Sequence, residues 1–189
     1  MKILITLFVL LFSSSVIAED ITDFEIEGIS IGDDITVFFS ETQIIENTKI
    51  YHTNQKYITL EFHTLDFLKT YNALQLVYKS DDNIIHDITG LLSYEFNIED
   101  CFDKMDIITN DILNSINVTD KTEKTVQKLR QDSSGKSEMT IVQFYFPSGE
   151  GQVGCYNWSI EKGWIDHLRV SISTSEFSHW SEKYLITKN

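Results

Sequence analysis

Residues 139–158 read MTIVQFYFPSGEGQVGCYNW and have the pattern of a β-hairpin. The run 139–146 is rich in β-branched and aromatic residues, which favour strands. Segment 147–151 contains a proline and two glycines and is therefore typical of a turn. The run 152–158 then returns as the partner strand and brings Cys155 into the sheet.

Further alternating runs on either side of this hairpin predict the rest of a sheet. Apolar residues with a period of two, the pattern of a half-buried strand, occur at 57–64, 74–78, 84–96 and 167–173. Gly90 in the third run marks a candidate β-bulge or bend. Segment 118–137 is polar and charged, and within it residues 131–137 (QDSSGKS) predict a loop.

One long amphipathic helix is predicted between the two groups of strands. Asn97 is a favourable N-cap, and the apolar residues after it recur at spacings of three and four, which places them on one face. They are Ile98, Cys101, Phe102, Met105, Ile108, Ile112, Leu113 and Ile116. Asp33 or Asp34, and then Ser40, predict caps of two short early helices. Residues 173–176 have the capping-box pattern. The final helix that they predict has an inner face of Phe177, Trp180, Tyr184 and Leu185.

These elements predict an α+β fold, an antiparallel sheet of hairpins with a long central helix and a C-terminal helix packed on it. A helix followed by strands occurs twice, from about residue 33 to 96 and again from about 98 to 173. This order indicates two half-units, although the residues themselves show no repeat.

The first 18 residues have the three parts of a secretory signal peptide. Lys2 supplies a positive start, 3–11 is almost entirely apolar, and small residues lead to Ala18. The apolar run is shorter than the roughly 20 residues that span a bilayer. The alternatives are a buried N-terminal strand or an uncleaved anchor. The sequence predicts cleavage after Ala18, so that residues 19–189 form a single acidic domain, secreted to the periplasm and without a transmembrane segment.

The chain is strongly acidic, with 29 Asp and Glu against 15 Lys and Arg and a formal net charge of −14. Phosphate backbones and anionic lipid surfaces repel such a domain, so nucleic-acid binding is disfavoured. The composition, rich in Ile, Asn, Lys, Asp and Ser with one proline, is typical of an A/T-rich genome. Together with the signal peptide, it indicates a bacterium.

The two cysteines, Cys101 and Cys155, are predicted to form a disulfide, because secreted proteins usually pair their thiols. A redox pair would normally have Cys-x-x-Cys spacing, which this sequence lacks. Two buried free thiols remain the other alternative. A bridge that closes a loop of about fifty residues stabilises a fold by roughly 4 kcal/mol in the chain-entropy treatment.

No stretch of the sequence has the pattern of a catalytic, metal or cofactor site. The five histidines form no pair with another histidine or a cysteine at metal-ligand spacing. Gly-rich phosphate cradles, lysine-bearing P-loops and the G-x-S-x-G elbow are missing. His86 and Asp87 are adjacent, so a regular strand would turn them to opposite faces. The histidines are expected to face solvent, and no catalytic residue, metal or cofactor is predicted.

Three aromatic residues near one end of the hairpin are the candidate ligand-binding residues. Tyr156, Trp158 and Trp164 lie in or beside a loop that contains Gly163. Exposed Trp and Tyr side chains beside a loop can bind a sugar or a peptide. The structural alternative is that they cover the edge of the core.

Three passages resemble a group of secreted proteins of small-genome marine bacteria. They are 24–33 (FEIEGISIGD), the helix of Cys101 after Tyr94, and Ser-Gly-Lys-Ser at 134–137 with Cys-Tyr-Asn-Trp-Ser at 155–159 ahead of the final helix. The group has no assigned activity, so the resemblance implies none. The start also resembles helix–helix–strand envelope modules of the outer-membrane assembly lipoprotein type, without their lipid-attachment cysteine.

The sequence therefore leaves three hypotheses about function. The first is a non-enzymatic periplasmic binding or protein-interaction domain, whose partner is an envelope protein or a small ligand. The second is an accessory factor of the envelope. The third is a hydrolase whose site is assembled from distant residues, for which a histidine with a carboxylate partner beside a serine would be the evidence.

Overall fold

The computed structural model describes residues 21–63, 65–95, 97–115 and 117–184. The predicted signal peptide and its cleavage site lie outside the described residues, as do Phe96, Ile116 and Leu185 from the predicted patterns. No helix in this part of the chain is both long enough and apolar enough to cross a membrane.

Within the described residues, the chain forms eleven strands and four α-helices. The first half contains β1 (Glu25–Ile26), β2 (Ile29–Ser30), α1 (Ile35–Phe38), α2 (Glu41–Asn47), β3 (Thr48–Lys49), β4 (Tyr57–Phe62), β5 (Ala73–Lys79) and β6 (Ile85–Ser93). The second half contains α3 (Ile98–Ser115), β7 (Asp120–Lys121), β8 (Thr125–Lys128), β9 (Glu138–Tyr145), β10 (Gly149–Asn157), β11 (His167–Thr174) and α4 (Ser175–Tyr184).

Nine of these strands form one antiparallel sheet, in the order β3-β4-β5-β6-β11-β10-β9-β7, with β8 also paired to β9. Each half is a meander that follows its own helices, and the last strands of the two halves, β6 and β11, pair at the centre of the sheet. Leu92 lies opposite Leu168, and Ile88 lies opposite Ile172. The α+β prediction is confirmed, and the two half-units are present in the topology.

The early helix caps form as their sequences predict. The Asp34 side chain accepts a hydrogen bond from the Thr36 N–H at 2.8 Å. Ser40 and Gln43 make a reciprocal capping box at the start of α2. At α4 the prediction is wrong by one residue, because the Phe177 N–H donates to Thr174 Oγ1 at 3.2 Å. Thr174 is the last residue of β11, so the strand runs directly into the helix.

The main core lies between one face of the sheet and the helices α1, α2 and α3. Cys101, Met105 and Ile112 of α3 are buried in it, whereas Leu113 is 36% exposed, so the buried stripe is narrower than predicted. The predicted disulfide is present, since Cys101 is bonded to Cys155 of β10 with their Cα atoms 6.0 Å apart. The bridge therefore fastens α3 to the centre of the second meander.

Two local features differ from the sequence analysis. The polar segment 118–137 contains β7 and β8 at the sheet edge, which were not predicted, whereas 131–137 is irregular, as predicted. Gly90 forms no bulge: it pairs regularly with Val170, and the Tyr71 ring fills the space where a side chain would lie. The register shift falls between Val77 and Tyr78 of β5 instead.

Candidate functional site

The sheet face opposite α3, called the uncovered face below, is lined by polar side chains. One row of directly paired residues crosses six neighbouring strands: Glu61, Gln75, Thr89, Ser171, Gln152 and Gln143. Side chains alternate along a strand, and the neighbours of these residues point into the main core. A sheet face this polar is normally one that contacts water or a partner.

Helix α4 packs on one end of this face and covers an aromatic cluster. This covered cluster consists of His52, Tyr57, Phe177 and Trp180. The Trp180 ring centroid lies 4.6 Å from that of His52 and 4.8 Å from that of Tyr57. An ion pair of 2.8 Å between Lys56 Nζ and Glu176 Oε1 ties the start of the helix to the sheet.

His86 lies under this helix as well, on the side of the sheet that carries Asp87. The register shift in the β5–β6 pair makes His86 the extra residue, and its ring packs 5.2 Å from that of Tyr57. The prediction that His86 and Asp87 face opposite sides is therefore wrong, because a bulge breaks the alternation. Burial lowers the pKa of His86.

Asp87 is the most deeply buried carboxylate at the border of the covered cluster, with 7% of its surface exposed. It accepts hydrogen bonds from the hydroxyls of Ser173 and Thr89. Burial raises the pKa of Asp87 to about 6, although these hydrogen bonds and the charge of Arg169 act in the opposite direction.

A second aromatic cluster stands at the far end of the uncovered face. This exposed cluster consists of Tyr156, Trp158, Trp164 and His167. The rings of Tyr156 and His167 stack in parallel at 4.8 Å, and Trp164 meets Trp158 edge to face at 4.5 Å. The structure thus brings the three predicted residues together and adds His167. Trp164 remains 51% exposed, so the cluster is not simply an edge of the core.

Arg169 joins the exposed cluster to the polar row. Its guanidinium carbon lies 5.6 Å from the centre of the Tyr156 ring, and Nη2 donates to Gln75 Oε1 at 3.4 Å. The Gln75 amide in turn donates to Glu61 Oε1 at 2.8 Å, and the Tyr51 hydroxyl donates to the same oxygen at 2.7 Å. Polar contacts therefore run from the exposed cluster to the edge of the sheet.

The loop 159–166, which carries Trp164, presents three large apolar side chains to solvent. Ile160 is 93% exposed, Trp164 51% and Ile165 50%. Gly163, at φ 66°, closes the short helical turn in this loop.

No protein-family model, curated protein or solved structure matches this chain.

Hydrogen bonds to two carboxylates hold this loop in place. Asp132 accepts from the hydroxyls of Ser137 and Ser159 at 2.6 and 2.8 Å and from the Ser134 N–H at 2.9 Å. The Ser137 hydroxyl and the other bonds keep the pKa of Asp132 well below its usual range. At the other end of the loop, Asp166 accepts from the Trp158 N–H at 2.7 Å. The apolar side chains are therefore exposed on a loop that hydrogen bonds hold in place, called the braced loop below.

His86 and His167 bond to neutral oxygen atoms. His86 Nδ1 lies 2.9 Å from Thr174 Oγ1, and His167 Nδ1 lies 2.9 Å from the Ile165 carbonyl oxygen. His52 is buried and His86 and His167 are half-buried, so the expectation that the histidines face solvent is wrong for these three. Within the described ranges, no group of three or more His, Cys, Asp or Glu residues is arranged to hold a metal ion.

Sequence reasoning missed Arg169 and His167 as members of this site. Both lie in a strand with ordinary alternation, and only the pairing of β10 with β11 places them beside Tyr156 and Gly154. The alternation in β11 indicates only that its polar residues share one face. His167, Arg169, Ser171 and Ser173 all point away from the apolar side of the strand.

Proposed function

We propose that the protein is a non-enzymatic binding domain of the bacterial periplasm that docks a protein partner on its uncovered face. The observation that carries this proposal is the braced loop 159–166, on which Ile160, Trp164 and Ile165 are at least half exposed. Burying a large apolar side chain stabilises a complex by roughly 1.5–3 kcal/mol. Leaving three of them exposed on one ordered loop favours a surface that a partner covers.

The residue types around the loop are those that dominate protein interfaces. Trp, Tyr and Arg are enriched among the residues that contribute most to binding. Here Trp164 and Tyr156 both pack against Trp158, and Arg169 lies over the Tyr156 ring. Their mutual stacking also orders the side chains before a partner arrives, which reduces the entropy lost on binding.

The dimensions of the face support a protein partner over a small ligand. Six strands spaced by about 4.8 Å give the polar row a width of about 24 Å. A typical interface covers about 800 Å² on each protein, and this row together with the exposed cluster and the loop approaches that scale. A small ligand would contact only one part of it.

The disulfide supports the proposed compartment, because such bonds persist in oxidising environments such as the periplasm. An accessory factor of the envelope would use the same surface, so the proposal includes that role.

In-cell photo-crosslinking tests the proposal. A photoreactive amino acid would replace Ile160 or Ile165 in the full chain, expressed in the organism that encodes it. Matched controls would replace Val37 and Ile45, which are 76% and 66% exposed on α1 and α2 beyond the other face of the sheet. We expect one and the same cross-linked protein from both loop positions and not from the controls. No cross-link from the loop, or the same products from all four positions, would contradict the proposal.

A further inference from the structure

We infer that the partner is a basic polypeptide, whose lysine or arginine side chains bind carboxylates of the uncovered face while its apolar residues cover the loop 159–166. This inference rests on the proposed function and adds the chemistry of the partner. It follows from the charge of the whole chain, the charges on the face and the occupants that they exclude.

Within the described residues, six lysines are neutralised by close acidic neighbours. Ion pairs within 4 Å involve Lys56, Lys79, Lys121, Lys124, Lys128 and Lys136. The chain has 29 acidic residues against 15 basic ones, and this excess of carboxylates sets the sign of the field around the protein. A field of this sign raises the encounter rate with a basic partner and lowers it with an acidic one.

The uncovered face has the same sign as the rest of the chain. Glu61, Asp87 and Glu150 carry its carboxylates, and Arg169 and Lys79 carry its positive charges. Glu61 is held by the Tyr51 and Gln75 hydrogen bonds, so its position is fixed before binding. Glu150 is half-buried, and no hydrogen bond or ion pair within the described residues restrains it. It therefore remains free to bind a cation.

The separation of two of these carboxylates indicates an extended occupant. Glu61 on β4 and Glu150 on β10 are four strand spacings apart, or about 19 Å. An extended segment of about six residues spans this distance at 3.3 Å per residue. Arg169, between them, donates to acceptors such as backbone carbonyl oxygens and so helps to fix the register of the segment.

The same charges argue against the other occupants of an open face. A second copy of this chain would bring two bodies of net charge −14 together. Nucleic acids and anionic membranes are repelled for the same reason. A neutral apolar partner would fit the loop but would leave the carboxylates of the face desolvated and unpaired, which is costly.

Binding of model peptides to the isotope-labelled mature chain, with the disulfide intact, tests this inference. The probe is a 12-residue peptide in which lysine alternates with alanine and leucine, and the reference peptide has glutamate at every lysine position. We expect amide shifts in β4, β5, β10, β11 and the loop with the lysine peptide, weakening as salt is raised. We expect none with the glutamate peptide. Shifts confined to the outer face of α3, or no shifts with either peptide, would overturn the inference.

A charge-matched pair of variants separates local binding from general attraction. Glu61→Gln with Glu150→Gln removes two charges from the face, and Asp103→Asn with Asp111→Asn removes two from the exposed side of α3. We expect about tenfold weaker peptide binding for the first pair and less than a twofold change for the second. Equal weakening would overturn the inference.

Failure of this inference is distinguishable from failure of the proposed function. A protein cross-linked through Ile160 and Ile165 whose contacting segment has no excess of lysine and arginine would overturn the basic partner and leave the docking surface intact. Absence of any cross-link at the loop contradicts both.

Discussion

Two aromatic clusters lie on the same face of one sheet, and they differ in what covers them. The covered cluster packs beneath α4, where Tyr57 is 3% and Phe177 8% exposed. The exposed cluster is built from similar rings at similar distances but lies at the opposite end of β11 from α4, and Trp164 is 51% exposed.

Residue type alone does not distinguish a structural cluster from a binding surface. In the covered cluster, the helix buries the rings, and the free energy of this burial stabilises the folded state. In the exposed cluster, stacking orders half-buried rings and the Asp132 hydrogen bonds hold the loop, but Trp164 stays 51% exposed. The free energy of burying the exposed surface of this cluster can therefore stabilise a complex with a partner.

Removal of the disulfide is expected to change the free energy of unfolding most, because the bridge supports the strand that carries the exposed cluster. Cys155 adjoins Tyr156 and fastens β10 to α3. Replacing Cys101 and Cys155 together by alanine should destabilise the fold by roughly 4 kcal/mol, because the bridge restricts the unfolded chain over 54 residues. Urea unfolding measures the loss, and added reductant should leave the double variant unchanged. A loss below about 1 kcal/mol would show that the bridge contributes little.

Phe177 tests the covered cluster by itself. Phe177→Ala should lower the free energy of unfolding by about 3 kcal/mol, since a buried aromatic ring is replaced by a cavity. Its control is Ile160→Ala, which removes an apolar side chain that is 93% exposed and should change stability by no more than about 0.5 kcal/mol. Equal losses, measured in urea, would remove the distinction between the clusters.

Asp87 provides a somewhat smaller effect at the border of the covered cluster. Its folded pKa of about 6 lies above the ordinary 3.8, so the folded state favours the protonated form. Its favourable contribution is complete below about pH 4 and is lost as the pH rises through 6. The free energy of unfolding of the wild type minus that of Asp87→Asn should therefore fall by about 2–3 kcal/mol between pH 4 and 7.

Taking this difference removes the opposing histidine contributions from the comparison. Burial lowers the pKa values of His52 and His86. Their protonation therefore lowers the free energy of unfolding as the pH falls, in the wild type and in the variant alike. A difference that stays flat between pH 4 and 7 would contradict the account of Asp87.

Elements with a strong period could be predicted from the sequence. The 139–158 hairpin, α3 and the Cys101–Cys155 bridge follow from alternation, helical spacing and the small number of cysteines. Strand β8 could not be predicted, because all of its residues are exposed and the run therefore shows no apolar alternation. The bulge at His86 was missed because it is visible only as a mismatch between two strands.

The site could be predicted only in part. Tyr156, Trp158 and Trp164 are close in sequence and were found from it. Arg169 joins them through the β10–β11 pairing, and the polar row depends on the long-range pairing of β6 with β11. Which cluster is covered depends on where α4 packs. The apolar stripe of α4 predicts that one face of the helix is buried, but it does not specify the side of the sheet against which the helix packs.

We propose that the exposed cluster binds a partner, whereas the covered cluster stabilises the fold. Trp164→Ala and Trp180→Ala make the same chemical change in one cluster each, and both the free energy of unfolding and the yield of the Ile160 cross-linked complex should be measured. We predict that Trp164→Ala reduces the yield at least tenfold and changes stability by less than about 1 kcal/mol. Trp180→Ala should lower stability by about 2–3 kcal/mol and keep the yield. The reverse pattern, or an undiminished yield for Trp164→Ala, would contradict the account.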